Sequence, residues 1–204
     1  MRSTEIDGAA VHVLGVVKGL VSEKAKVRDA ILSLDPDVVG LSISSEELEA
    51  LKVKEDYSKY EMSTLEEVYA VYLESFGPIE LPTPAYVEAM DLCAEKHIEL
   101  VALDLSDAEY TEAYCENIGA MEIVRESFFT RSISRKRFNI SSPEQFALDW
   151  DRKVNRAKGF RELEERREAH MADELNVLAK AHKKVLAVIE IERADGVLAR
   201  IEPS

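Results

Sequence analysis

Three charged side chains stand where an α/β chain commonly builds chemistry: Lys18, Asp104 and Arg167. Lys18 follows the apolar run "HVLGVV" and precedes Gly19 and the opening of a helix, so its side chain is aimed into a strand-to-helix crevice. Its ammonium carries three donors and no lone pair, and only a steep fall in pKa would free it for metal ligation or base work. Asp104 closes the run "HIELVALD" at a strand's carboxyl end, where open α/β sheets bind ligands, although a carboxylate there equally caps neighbouring N–H groups. Arg167 interrupts the helical stripe Leu163, Met171, Leu175, Leu178. Its planar fork of donors suits an anion held in a cleft; the bland alternative is a guanidinium that snorkels or pairs with a carboxylate.

The elements that must position these residues alternate clearly in the first half. Val11–Val17 reads as a strand, Ser22–Leu34 as a helix with Val27, Ala30, Ile31 and Leu34 on one face, and Asp35–Ile43 as a second strand, which makes a βαβ opening with a parallel pair. Ser63 with Glu66 forms a capping box ahead of the stripe Leu65, Val68, Tyr69, Tyr72, Phe76. Thr83-Pro84 starts another helix, with Tyr86, Ala89, Met90 and Cys93 inward; His97–Leu105 is a third strand, followed by a second box at Ser106 and Glu109. The second half is helix-rich. Ser142, Pro143 and Gln145 open a helix whose face carries Phe146, Trp150 and Val154, with Trp150 read as core rather than as a ligand platform, and a longer helix spans Phe160–His182. Lys184–Glu192 is a strand, and Arg193–Gly196 ("RADG") turns it into Val197–Glu202 as a C-terminal β-hairpin. The expected fold is α/β, a mixed β-sheet flanked by helices in one domain over residues 1–204. The charged stretch Leu51–Glu61 has no strong period and receives no site.

Composition excludes several classes of function. The chain has 204 residues, 46% of them hydrophobic, and 40 acidic against 26 basic residues give a net charge of −14. Such a charge repels phosphate backbones and anionic membranes, so neither nucleic acid nor a membrane surface is an expected partner. No apolar run approaches the roughly 18 residues of a membrane span, the N-terminus lacks a signal peptide's apolar core, and the expected location is the cytoplasm. Cys93 and Cys115 have the spacing of neither a disulfide framework nor a zinc site and read as buried, inert thiols. The four histidines, His12, His97, His170 and His182, form no recognisable metal set. Arg125, Arg131, Arg135, Lys136 and Arg137 make a local basic cluster, read as pairing with the acidic surface rather than contacting a partner.

Taken together, "HVLGVVKGLVSE", "PDVVGLSISSEEL", "LPTPAY", "ALDLSDAEY" and "RREAHM…KVLAVIEIERADGV" resemble the TraB/PrgY family, within the superfamily of TIKI proteases and erythromycin-esterase and ChaN-like proteins, over nearly the whole chain and in the same order. The resemblance implies a mixed sheet flanked by helices. It also implies a site of a Gly-x-x-His motif after the first strand, a glutamate ending the next strand, an arginine before a methionine on a late helix, and a second such loop near the C-terminus. In TIKI-like relatives these histidines and the glutamate are associated with metal-dependent hydrolysis. Here Gly15 and Arg167 match, but the histidine position is Lys18, the glutamate position is Ser42, and the C-terminal loop has become Glu190, Ile191, Glu192 and Arg193, with only Gly196 left.

Those departures set the functional expectation. A charged lysine repels a dication, by roughly 8 kcal/mol at 4 Å and an effective dielectric near 20, so neither metal nor cofactor is expected. The protein is read as a degenerate, non-catalytic family member with a regulatory or binding role, taking a small anion or a protein partner, and as a homodimer. The alternatives are a small-anion binder built on Lys18, Arg167 and Arg193, and a metal-independent hydrolase in which Lys18 activates Ser42.

Overall fold

The computed structural model describes residues 1–53 and 60–201, so residues 54–59 of the charged stretch fall outside the described residues. The apolar alternation in the first sixteen residues folds as a hairpin, β1 (Arg2–Ile6) antiparallel to β2 (Ala9–Val16). Its turn is Asp7-Gly8, with φ of 49° and 83°, the backbone that a two-residue turn between right-twisted strands demands. After β2 come α1 (Glu23–Leu34), β3 (Val38–Leu41), α2 (Ser45–Lys52), α3 (Thr64–Leu73), α4 (Pro84–Lys96) and β4 (Glu99–Ala102). The second half holds α5 (Asp107–Asn117), α6 (Ala120–Ser132), α7 (Pro143–Val154), α8 (Lys158–Ala181), β5 (Lys184–Glu190) and α9 (Ile191–Leu198). The boxes at Ser63–Glu66 and Ser106–Glu109 both form, and the Ser142 hydroxyl accepts from the Gln145 N–H.

The sheet is mixed, in the order β1-β2-β5-β3-β4, with all but β1 parallel. The βαβ opening is present as β2–α1–β3, but its two strands are not neighbours, because β5 inserts between them and pairs with both. Residues 185–190 are buried throughout, which requires a strand neighbour on each edge and a helix layer on each face. Side-chain alternation divides the core accordingly. Leu14, Val16, Val39, Leu41, Leu186 and Val188 pack with α1 and α4, whereas Val11, Val13, Val38, Val185, Ala187 and Ile189 pack with α8 and α9.

The expected C-terminal hairpin is not formed. Residues 191–198 are the helix α9, whose Ala194 and Val197 bury against the α8 face of the core. Apolar residues at 191, 194, 197 and 198 satisfy a helical period, and β5 already has two partners, so no sheet edge is open to a returning strand. A third, aromatic cluster centres on Phe146 of α7, ringed by Tyr69, Tyr72, Phe138 and Trp150 at centroid distances of 5.1 to 6.0 Å. Among the described residues no helix is long and apolar enough to cross a membrane.

Candidate functional site

The four parallel strands deliver one polar or charged residue each to the carboxyl edge of the sheet. Lys18 lies just past β2, Glu190 ends β5, Ser42 follows β3, and Asp104 lies just past β4. Lys18 Nζ lies 2.9 Å from Glu190 Oε1, and Arg167 Nη2 approaches the other oxygen of the same carboxylate at 3.6 Å. Arg167 reaches down from α8. It donates from Nε to Asp104 Oδ2 at 3.0 Å, from Nη2 to the same carboxylate, and from Nη1 to Glu164 Oε2 at 2.7 Å. The Ser42 hydroxyl accepts the Glu190 N–H at 3.0 Å and shares a 2.8 Å hydrogen bond with the Tyr86 hydroxyl.

The lattice continues through α9. Arg193 contacts Glu164 at 3.4 Å, Glu168 at 3.2 Å and also Asp151, and Arg200 closes on Glu168 at 2.9 Å. Signs alternate along the chain Lys18, Glu190, Arg167, Glu164, Arg193, Glu168, Arg200. The electrostatics follow from that alternation. The Glu190 carboxylate holds the Lys18 ammonium well above the ordinary lysine range although the residue is partly buried. Burial alone would raise Glu190, but Lys18 and then Arg167 outweigh it and hold its carboxyl far below the usual range. Burial also pushes up Glu164, Glu168 and Glu47, while Glu192, desolvated and beside the Glu190 carboxylate, is pushed up to about 7.

Beside this lattice lies a pocket of about 500 Å³, walled largely by apolar residues of α3, α7 and the segment before α4. Lys18 and Glu192 stand on its wall with Tyr69, Trp150, Leu65 and Leu73. No protein-family model matches the chain, and no curated protein sequence matches it.

The structure brings four of the sequence-derived candidates together: Lys18, Ser42, Asp104 and Arg167 share one strand-end cluster through Glu190. Arg193 joins only at second remove, through Glu164, because α9 turns it toward α7 and α8. Gly15 serves packing: a Cβ there would lie 2.5 Å from Ile191 Cδ1, so its absence lets α9 rest on β2. The three cations do not form an open cationic pocket, since each is met by at least one carboxylate. Nor is a Ser–Lys pair assembled, for the Lys18 ammonium is held by Glu190 and the Ser42 hydroxyl by Tyr86 and a backbone N–H.

The remaining expectations divide. Cys93 is buried, with its thiol pushed up to about 11 by desolvation, but Cys115 is exposed on the outer face of α5. Trp150 belongs to the aromatic core and also lines the pocket. Among the described residues the cluster Arg125 to Arg137 makes no ion pair; Arg131 and Lys136 instead lie over the rings of Phe128 and Phe129. Among those residues, too, no group of three or more His, Cys, Asp or Glu side chains is placed to hold a metal ion. The site residues that sequence reasoning does not single out are Glu164, Tyr69 and Tyr86. A charged residue terminating the apolar run "VLAVI" was the available signal for Glu190, equivalent to that of Asp104.

Proposed function

We propose that this chain is a degenerate TraB/PrgY-like protein that binds a small molecule without transforming it. The observation that carries this reading is the ion pair of Lys18 with Glu190, backed by Arg167. It fills the strand-end position where catalysis would need a free base, nucleophile or metal ligand, and it leaves the adjoining pocket as the accessible cavity. Lys18 is kept charged by its partner and cannot serve as a base, which argues against the hydrolase alternative. The paired cations argue against a small-anion site, because an incoming anion would have to displace carboxylates already in place. The same reading includes a cytoplasmic, homo-oligomeric protein, a state that light scattering measures.

The test combines two assays on the purified protein. Ester and peptide hydrolysis, with and without manganese or zinc, is expected to show no turnover above that of Lys18→Met. Binding of small apolar compounds is expected to change the emission of Trp150, which is the chain's single tryptophan and lines the pocket. Metal-dependent turnover abolished by Lys18→Met would overturn the reading.

A further inference from the structure

Two residues that line the 500 Å³ pocket, Tyr69 and Glu192, each carry a buried polar atom with no hydrogen-bond partner among the described residues: the hydroxyl of Tyr69 and Oε2 of Glu192. Buried polar groups are satisfied in native proteins far more often than not, so two unsatisfied side chains bordering one cavity mark a place where a ligand's donor belongs. We propose that the pocket takes a small organic amine, its ammonium seated at Glu192 and Tyr69 and its apolar body against Leu65, Leu73 and Ile79. The proposal rests on the small-molecule reading given above and adds the chemical class of the ligand.

The charge around the pocket decides the sign of that ligand. Lys18 is the cation on the wall, and Glu190 already neutralises it at 2.9 Å. Arg193, the nearest other cation to Glu192, is engaged by Asp151, Glu164 and Glu168. On the acidic side, Glu66 and Glu80 line the pocket beside Glu192, with Glu190 and Asp151 behind it; Glu80 is paired with Lys24 at 3.1 Å, whereas Glu66 and Glu192 have no ion pair among the described residues. An anion would meet this excess of carboxylate; a cation would complete it. A neutral donor would fill the hydrogen bonds but leave the Glu192 carboxyl without a counter-charge.

Tyr69 and Trp150, both on the pocket wall, meet edge to face, with centroids 5.3 Å apart and planes at 70°, and so give the pocket a rigid aromatic side. The rest of the wall is apolar, which suits an alkyl or aryl body, and a volume of about 500 Å³ lies within the range of small-molecule sites. Burial, with Glu190 beside it, raises the Glu192 carboxyl to about 7, so an ammonium seated there would favour its charged form. The chain's net charge of −14 draws cations toward it at long range.

The test compares three probes of one size at pH 8: 2-phenylethylammonium, 2-phenylethanol and 3-phenylpropionate, each titrated against Trp150 fluorescence and checked by equilibrium dialysis. The amine is expected to bind at least tenfold more tightly than the alcohol or the acid. Glu192→Gln, which keeps the side chain's shape, is expected to cut amine affinity at least tenfold and leave the alcohol unchanged. Tyr69→Phe serves as the second variant if circular dichroism shows Glu192→Gln unfolded, and it is expected to weaken the amine severalfold. Equal affinities, or the acid binding most tightly, would overturn the amine assignment while leaving a small-molecule pocket. Failure of all three probes to bind would overturn both.

Discussion

Lys18 Nζ and Glu190 Oε1 lie 2.9 Å apart across neighbouring strand ends, and that contact fills the crevice with an ion pair. The Glu190 side chain is only 10% exposed, so removing its first counter-ion leaves a desolvated carboxylate leaning on Arg167. Lys18→Met is therefore expected to destabilise the fold. Lys18 itself is 41% exposed, which screens the pair and brings the loss to about 2 kcal/mol, below the 3–5 kcal/mol of a fully buried pair. Urea denaturation should show a lower midpoint at unchanged slope, and Lys18→Met with Glu190→Gln should recover part of the loss. A Lys18→Met midpoint equal to wild type would mean that the pair is not a structural element.

Arg167 is the more deeply committed cation. Its side chain is 15% exposed and faces Asp104, Glu164 and Glu190 together. Arg167→Leu strands those carboxylates against one another and is expected to cost at least about 3 kcal/mol. Arg167→Lys should restore little of it, because one ammonium cannot span Asp104 and Glu164 as the guanidinium fork does. Thermal denaturation of the two variants decides: full rescue by lysine would show that charge alone matters here.

These two residues also show what the sequence could convey. The interrupted stripe on α8 pointed Arg167 inward, and strand-end position picked out Lys18 and Asp104, because both signals are local periodicity. Asp104 and Glu190 are legible as carboxylates able to neutralise these cations, but which carboxylate meets which cation is not. Glu190 sits next to Lys18 only because β5, some 170 residues later, inserts between β2 and β3, and no local pattern encodes that insertion. The dipeptide Asp-Gly shows the limit most plainly. It forms the β1–β2 turn at Asp7-Gly8, which the sequence reading passed over, and lies inside α9 at Asp195-Gly196, where a turn was expected. The dipeptide permits a turn, and the surrounding elements decide whether one forms.

Glu192 and Glu190 give stability opposite dependences on pH. Folding raises the Glu192 carboxyl from 4.5 to about 7, so between those values the unfolded chain has released a proton that the folded one retains, and stability falls as pH rises. Folding lowers Glu190, so its contribution is present above about 4.5 and is lost on acidification below it. Glu192→Gln removes the first effect together with its repulsion of Glu190, which keeps Lys18 and Arg167 as counter-ions. Relative to wild type it is expected to gain nothing from this source near pH 4 and up to about 3 kcal/mol near pH 8. Guanidinium midpoints at the two pH values measure this, and a gain that does not grow with pH would contradict the assignment.

The two Asp-Gly sites predict opposite behaviour for the same substitution. Gly8 has φ of 83° with nothing within 4 Å of a built Cβ, so Gly8→Ala suffers backbone strain alone, about 1 kcal/mol. Gly196 lies in α9, where alanine is intrinsically better by about 1 kcal/mol, yet its Cβ would fall on the Glu168 carboxylate that holds Arg193 and Arg200. Gly196→Ala should therefore be a net loss, caused by displacing Glu168 rather than by backbone strain. That origin is measurable as non-additivity: Glu168→Ala should cost less in the Gly196→Ala background than in wild type, whereas it should add simply to Gly8→Ala. If residues 193–202 instead formed a hairpin, Gly196→Ala would be strained like Gly8→Ala and indifferent to Glu168, so additive losses at both glycines would refute the strand-to-helix end of the chain.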